Sequence, residues 1–261
     1  MKIARFIHKG KVRYGVLESS GFNVIRGEIF SDFSLTGEII NPEETELLYP
    51  VDPPNIIAIG ANYRKHVLEF GKSLPERPLI FVKLTTSLLS PEKSIKLPVS
   101  APLEVDYEAE LAVIIGKKGR NIPKDKVNEY IFGYTCANDV SARDCQQRID
   151  LQWARAKSFD TFCPLGPFIQ TELDPSNTGI RTRLNGKIMQ DSNTSDLIFD
   201  VPYLVSYISE NFTLLPGTII LTGTPEGVGG ARDPQVFLRE NDIIEVEIDS
   251  IGTLKNNVVN E

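Results

Sequence analysis

A mainly β fold with a few helices (α+β) is predicted for this chain on three observations. Apolar residues come in short runs with strand-like spacing, closed off by glycine and proline. Segments with helical start signals are few. Strands and helices show no regular β-α-β alternation, which argues against a doubly wound sheet and for a mixed sandwich or barrel.

The elements follow in order. Residues 2–7, 13–18 and 22–26 read as short strands, with turns at Lys9-Gly10 and Ser20-Gly21. Together they suggest a small N-terminal β domain over residues 1–52. The stiff segment Tyr49-Pro50-Val51-Asp52-Pro53-Pro54 divides it from a catalytic domain over 53–261. Ile56-Ile57-Ala58-Ile59-Gly60 is a buried strand ending in glycine, and 62–70 holds a helical turn or two. Pro75 and Pro78 punctuate a loop before the strand at 79–83. The clearest helices are 124–129, 145–150 and 201–210, the last with Asp200 as its N-cap. No internal repeat or low-complexity segment is present.

Composition narrows the function. A chain of 261 residues suits one large domain with a small appendage. Its 41% hydrophobic and 24% charged residues are ordinary for a soluble globular protein. A net charge of -7 without a basic cluster argues against nucleic acid as a partner. The apolar runs are far too short to span a membrane, and the alternating start lacks a signal-peptide core. The three cysteines, Cys136, Cys145 and Cys163, have no C-x-x-C spacing and fit free, inert thiols in a reducing cytoplasm.

Three carboxylates carry the most chemistry. Glu108 and Glu110 open the apolar run that ends at Gly116, and strand alternation puts both on one face with Asp106 beside them. Acids crowded on a buried face repel each other and lose hydration, and a divalent cation removes both costs. Asp139, in Asn138-Asp139-Val140-Ser141-Ala142-Arg143-Asp144, is a natural third ligand. All-oxygen donors favour Mg²⁺ or Mn²⁺, with Ca²⁺ as a possible substitute, over zinc. The competing reading is an edge strand whose acids face solvent.

His66 and Glu69 are three apart and share a face if 62–70 is helical, so the carboxylate can orient the imidazole as a general base. An incidental surface pair is the alternative. Lys83 ends an apolar strand, and Lys157 lies in Ala156-Lys157-Ser158-Phe159-Asp160. Each either meets substrate or snorkels at the end of its element. The segment 221–230, with four glycines and Pro225, exposes amides and hydroxyls suited to an anion, or else is a wide connecting turn.

Taken in order, these segments resemble the fumarylacetoacetate hydrolase family from Met1 to about Ile251. They are Gly60-Ala61-Asn62-Tyr63 with His66 and Glu69, Phe81-Val82-Lys83, Asp106 to Leu111, Asn138 to Asp144, Ala156 to Asp160, and Leu221 to Gly229. The N-terminal unit is similar to that of the family's bacterial, archaeal and mitochondrial branch. The resemblance implies a mixed β-sandwich roll, a homodimer, and Mg²⁺ or Mn²⁺ held by Glu108, Glu110 and Asp139. It implies a water-activating His66–Glu69 dyad on a lid that orders with substrate, with Lys157 supporting an enolate. Arg143, Gln146 and the Thr224 loop would hold the carboxylate of a small 2-oxo acid, with Lys83 a further contact. The expected reaction is hydrolysis of a C–C bond in an acylpyruvate. An isomerase or decarboxylase of an unsaturated 2-oxo diacid, or an oxaloacetate decarboxylase or tautomerase, is the alternative. A catalytically idle metal-binding dimer is the third.

Overall fold

The computed structural model describes residues 1–150 and 152–261 of the chain. Among the described residues, strands dominate. The long path of the largest sheet runs Phe33–Ile40, Gly21–Gly27, Lys11–Glu18, Lys2–His8, Cys163–Gln170, Ile131–Asn138, Ala109–Ile115, Ile219–Leu221, Ile56–Gly60, Leu79–Lys83. A second sheet orders Lys187–Asn193, Gly179–Leu184, Ile243–Ile248, Gly252–Asn260 and Ser94–Leu97. Pairing is mixed: Ile219–Leu221 runs parallel to Ile56–Gly60 and antiparallel to Ala109–Ile115. The N-terminal strands are joined to the rest through Lys2 and Ile3, which pair with Gln170 and Ile169.

The Ala109–Ile115 strand explains its own composition. It is buried on both faces, so every position but Glu110 is apolar. Leu111, Val113 and Ile115 pack with Ile180, Val246 and Ile248 of the second sheet and with Leu204, Val205 and Ile208 of the Val201–Asn211 helix. Ala112 and Ile114 face the opposite way, onto Ile3, Ala58 and Ile219. Each fully buried Leu or Ile here stabilises the fold by about 1.5–3 kcal/mol. Glu110 takes the face of Ala112 and Ile114, at the end of the strand where apolar packing gives way to the site.

The helices are short. Val201–Asn211 is α-helical, and Asp200 caps it by accepting the Tyr203 amide hydrogen at 2.8 Å. The segments Lys124–Glu129 and Cys145–Ile149 form a 3₁₀ and a π turn. Helix Arg64–Glu69 has no capping side chain of its own, since Tyr63 occupies the N-cap. Asp196 supplies the cap from elsewhere, accepting the Lys65 amide hydrogen at 3.0 Å, and Arg64 donates to the Leu197 carbonyl at 2.8 Å. No helix among the described residues is long and apolar enough to cross a membrane.

Candidate functional site

Glu108, Glu110 and Asp139 converge. Each offers a carboxylate oxygen within 4.8 Å of the others, and all three are buried. Strand pairing brings them together. Ala109 is in register with Asn138, and Asp139 donates its amide hydrogen to the Glu108 carbonyl at 2.8 Å across the strand ends. Glu108 lies in a break between Val105–Asp106 and Ala109–Ile115 rather than within one strand.

That break gives Asp106 a different job from its neighbours. Its carboxylate accepts from the Gly229 amide at 2.8 Å, the Gly230 amide at 2.9 Å and Arg143 Nε at 2.8 Å. The glycine-rich loop does receive anions, and they are the protein's own. Gly223 donates to Glu110 Oε2 at 2.7 Å and Gly227 to Glu69 Oε2 at 2.8 Å. Gly227 has φ 96, and a Cβ there would lie 2.3 Å from the Met189 carbonyl oxygen, so only glycine fits.

Three buried cations interleave with the acids. Lys157 Nζ, on the Ala154–Ser158 helix, donates to Glu108 Oε2 at 2.7 Å and to Asp139 Oδ2 at 2.6 Å. Lys83 Nζ donates to Asp139 Oδ1 at 2.5 Å. Arg143 Nη2 stands 2.7 Å from Glu108 Oε1, close enough for an ion pair but outside hydrogen-bond geometry. Burial alone would raise the Glu108 carboxyl, but the charges of Lys157 and Arg143 outweigh it and hold that group at about 2. Burial would likewise lower Lys157, and Asp139 and Glu108 more than restore it, so its ammonium stays charged.

Glu110 is the exception. Among the described residues no Lys, Arg or His nitrogen pairs with it, and its partner is the Gly223 amide. Burial, then Asp139 and Glu108, push its carboxyl well above the ordinary range. Four acidic side chains (Asp106, Glu108, Glu110, Asp139) thus face three cations (Lys83, Arg143, Lys157), and Glu110 is the one left without a cationic partner. Three converging buried acids, one of them without a cationic partner, could hold a metal ion.

A cavity of about 480 Å³ opens over these acids. Of the residues singled out from the sequence, it is lined by His66, Glu108, Glu110, Asp139, Arg143, Gln146, Lys157 and Thr224. Lys83 is not among its lining residues and acts on Asp139 from behind. Glu69 stands one step back, its Oε1 2.6 Å from His66 Nδ1. His66 is buried and packs edge-on against Phe70, with ring centroids 5.4 Å apart, rather than lying on an open surface helix.

Two lining groups are pre-set as donors. Gln146 Oε1 accepts from Arg143 Nη1 at 2.8 Å, which leaves its amide hydrogens free. Thr224 Oγ1 accepts from Gln190 Nε2 at 2.8 Å, which leaves the hydroxyl proton free. The other lining residues include Ile59, Val67, Phe70, Phe81 and Trp153, a largely apolar set. Neither Trp153 nor the fully buried Gln190 stands out in the sequence, because neither belongs to a charged or glycine-rich cluster.

The family model "Fumarylacetoacetate (FAA) hydrolase C-terminal" matches residues 55–259, and the model "Rv2993c-like, N-terminal" matches 1–50. An uncharacterized protein of Archaeoglobus fulgidus is 46% identical over 257 residues, covering 98% of this chain and 96% of that protein. The mitochondrial oxaloacetate tautomerase fahd2 of Xenopus laevis is 46% identical over 226 residues, covering 85% of this chain and 70% of the tautomerase. The solved structure of a 5-carboxymethyl-2-hydroxymuconate delta-isomerase from Mycobacterium smegmatis superposes with a TM-score of 0.91 at 42% identity, covering 100% of both chains. With its ordered motifs, its mixed sheets and these matches, the chain belongs to the fumarylacetoacetate hydrolase family.

Proposed function

We propose that the cavity forms and discharges the enolate of a small 2-oxo acid, moving a proton between carbon and the enolate system as a metal-dependent tautomerase or isomerase. The observation that carries this reading is the 2.6 Å contact between His66 Nδ1 and Glu69 in a cavity that also holds the three acids. Nδ1–H directed at a carboxylate leaves Nε2 as the free base, the state suited to proton transfer near neutral pH. Glu108, Glu110 and Asp139 would hold the cation, which supplies Lewis-acid stabilisation of an enolate. Lys157 holds Glu108 ionised, hydrogen-bonds Asp139 as well, and adds positive charge on the same side. The free donors of Gln146 and Thr224 take the substrate carboxylate. Arg143, hydrogen-bonded to Asp106 and Gln146 and ion-paired with Glu108, fixes these groups rather than reaching out alone.

Two named relatives, an oxaloacetate tautomerase and a muconate-type isomerase, support a proton shift without hydrolysis. Hydrolysis of an acylpyruvate is the second reading. It is favoured by the same dyad, because His66 oriented by Glu69 is equally a geometry for activating water. A homodimer is part of the proposal and is checked by light scattering.

The deciding experiment follows the enol-to-keto conversion of oxaloacetate by ultraviolet absorbance, and pyruvate release from oxaloacetate and acetylpyruvate, each with Mg²⁺ and with EDTA. Metal-dependent loss of the enol without pyruvate is the expected result. Pyruvate and acetate from acetylpyruvate would move the assignment to C–C hydrolase. Metal-dependent melting with no turnover of either compound would leave an idle metal-binding protein and overturn the proposal.

A further inference from the structure

The apolar lining is larger than a four-carbon acid needs. At about 480 Å³ the cavity sits within the roughly 300–1,000 Å³ range that holds drug-sized ligands. A carboxylate and 2-oxo group engaging the acid cluster, Gln146 and Thr224 would occupy one part of it. Beyond lie Ile59, Val67, Phe70, Phe81 and Trp153, with exposed Lys72 and Gln147 at the mouth.

Trp153, the only tryptophan of the chain, is held in place from several sides. A Cβ on Gly60 would lie 2.6 Å from its Cζ3 and 3.0 Å from its Cη2, so the indole lies flush against a backbone that only glycine leaves open. Its ring meets Phe81 edge-on, with centroids 5.4 Å apart and an interplanar angle of 72°. The other end of that contact is chemical: Lys157 Nζ lies 5.2 Å from the Phe81 ring centre, and Lys157 donates its backbone hydrogen to the Trp153 carbonyl at 3.0 Å. The aromatic pair therefore adjoins the lysine that touches Glu108 and Asp139, while Trp153 itself remains partly exposed to the cavity.

We propose that Trp153 is a specificity-determining residue, and that with Phe81 it forms a standing aromatic wall selecting 2-oxo acids whose far end is a planar apolar or conjugated group. The inference rests on the 2-oxo acid reading above and goes further by naming what the rest of the substrate is. An unsubstituted short acid leaves the wall wet. A planar substituent displaces that water and stacks on rings that are already fixed, so little ordering is lost.

The test is binding, not turnover. Pyruvate and phenylpyruvate are titrated into the Mg²⁺-loaded protein by calorimetry, and quenching of the single tryptophan is followed in the wild type. Phenylpyruvate is expected to bind at least about tenfold more tightly than pyruvate, with quenching by phenylpyruvate alone. In Trp153→Ala, and in Gly60→Ala, where the new Cβ pushes the indole aside, the preference ratio is expected to collapse toward one. Trp153→Phe should retain part of it. A wild-type ratio near one, or an undiminished ratio in both Trp153→Ala and Gly60→Ala, overturns the inference. If these changes lower only the melting temperature, the indole merely packs, and the inference fails likewise. Metal-dependent pyruvate binding without a phenyl preference would sink the aromatic wall alone. Absence of any metal-dependent binding would sink the 2-oxo acid reading and this one together.

Discussion

Glu108 and Asp139 leave the ends of two paired, buried strands, and both oxygens of each carboxylate are matched by Lys83, Arg143 or Lys157. His66 sits on a helix of six residues whose hydrogen bonds to the body, among the described residues, include the Asp196 cap, two Arg64 bonds to carbonyls and the Glu69–Gly227 bond. Charge that must stay put has been built into the sheet. The proposed base, His66, has been placed on an element too short to be stable alone. The two regions should therefore respond differently to damage: the acid cluster by losing stability, the helix by losing rate.

The largest effect is expected at the acid cluster. Asp139→Ala removes the partner of two buried ammonium groups, leaving Lys83 with only the Val140 carbonyl at 3.4 Å. Breaking a buried pair from one side costs about 3–5 kcal/mol. A large drop in Tm with weakened Mn²⁺ binding by calorimetry is the expected result, and unchanged Mn²⁺ affinity would remove Asp139 from the ligand set.

The pH dependence sharpens the same point, because Glu108 and Glu110 are shifted in opposite directions. A depressed carboxyl contributes stability that is complete above its unfolded value, near 4.5, and is lost as pH falls toward about 2. The raised Glu110 carboxyl does the reverse, its contribution being lost as pH rises through its folded value. Metal-free protein should therefore be most stable at intermediate pH, losing stability on the acid side through Glu108 and on the basic side through Glu110. Added Mn²⁺ should raise Tm more as pH climbs from 4.5 toward neutrality. A Tm gain independent of pH would show that Glu110 does not bind the cation as a carboxylate.

At the helix the balance inverts. His66→Ala is expected to lower kcat by about 10²–10⁴-fold while Tm and Mn²⁺ affinity stay near wild type. A variant that turned over normally would remove His66 from the chemistry, and one that melted early would show that the imidazole is mainly packing against Phe70. Glu69→Gln is milder. The amide still accepts from Gly227 but no longer matches His66 Nδ1 as a charged partner. Loss of a charge-assisted hydrogen bond of about 1.5–3 kcal/mol predicts roughly a 10–100-fold fall in kcat. A change confined to KM would mean that Glu69 holds the helix down rather than orienting the base.

The sequence disclosed the acid cluster better than the rest because its signal is local. Two acids at strand spacing before an apolar run, and a third in a polar insertion, are exceptions to burial that need a reason. The mixed β class was legible in the same way, from short runs between turns. Lys83 and Asp106 were harder. Lys83 reads as a strand-end lysine until the fold brings Asp139, 56 positions away, against it. Asp106 reads as a neighbour of Glu108 until the break between the two short strands turns it toward Arg143 and the glycine loop. Trp153, at the start of the Ala154–Ser158 helix, gave no sign of its role, since its setting depends on Gly60 and Phe81 from two strands far off in sequence.

The smallest effect tests whether the helix is held by charge or by directed hydrogen bonds. Lys65 Nζ lies 3.6 Å from Glu226 Oε1, and the lysine side chain is 63% exposed. Water and salt screen such a pair, which contributes about 0–1 kcal/mol. The Lys65 amide bond to Asp196 is made by backbone and survives truncation of the side chain. Lys65→Ala should therefore leave kcat within about twofold and Tm within about a degree or two. Asp196→Ala, which removes the cap itself, should cost about 1 kcal/mol and raise KM as the helix frays. If Lys65→Ala proved as damaging as Asp196→Ala, with the difference vanishing at high salt, the helix would be held by its surface charges. The division between a stable acid cluster and a loosely tied base would then have to be redrawn around Glu226.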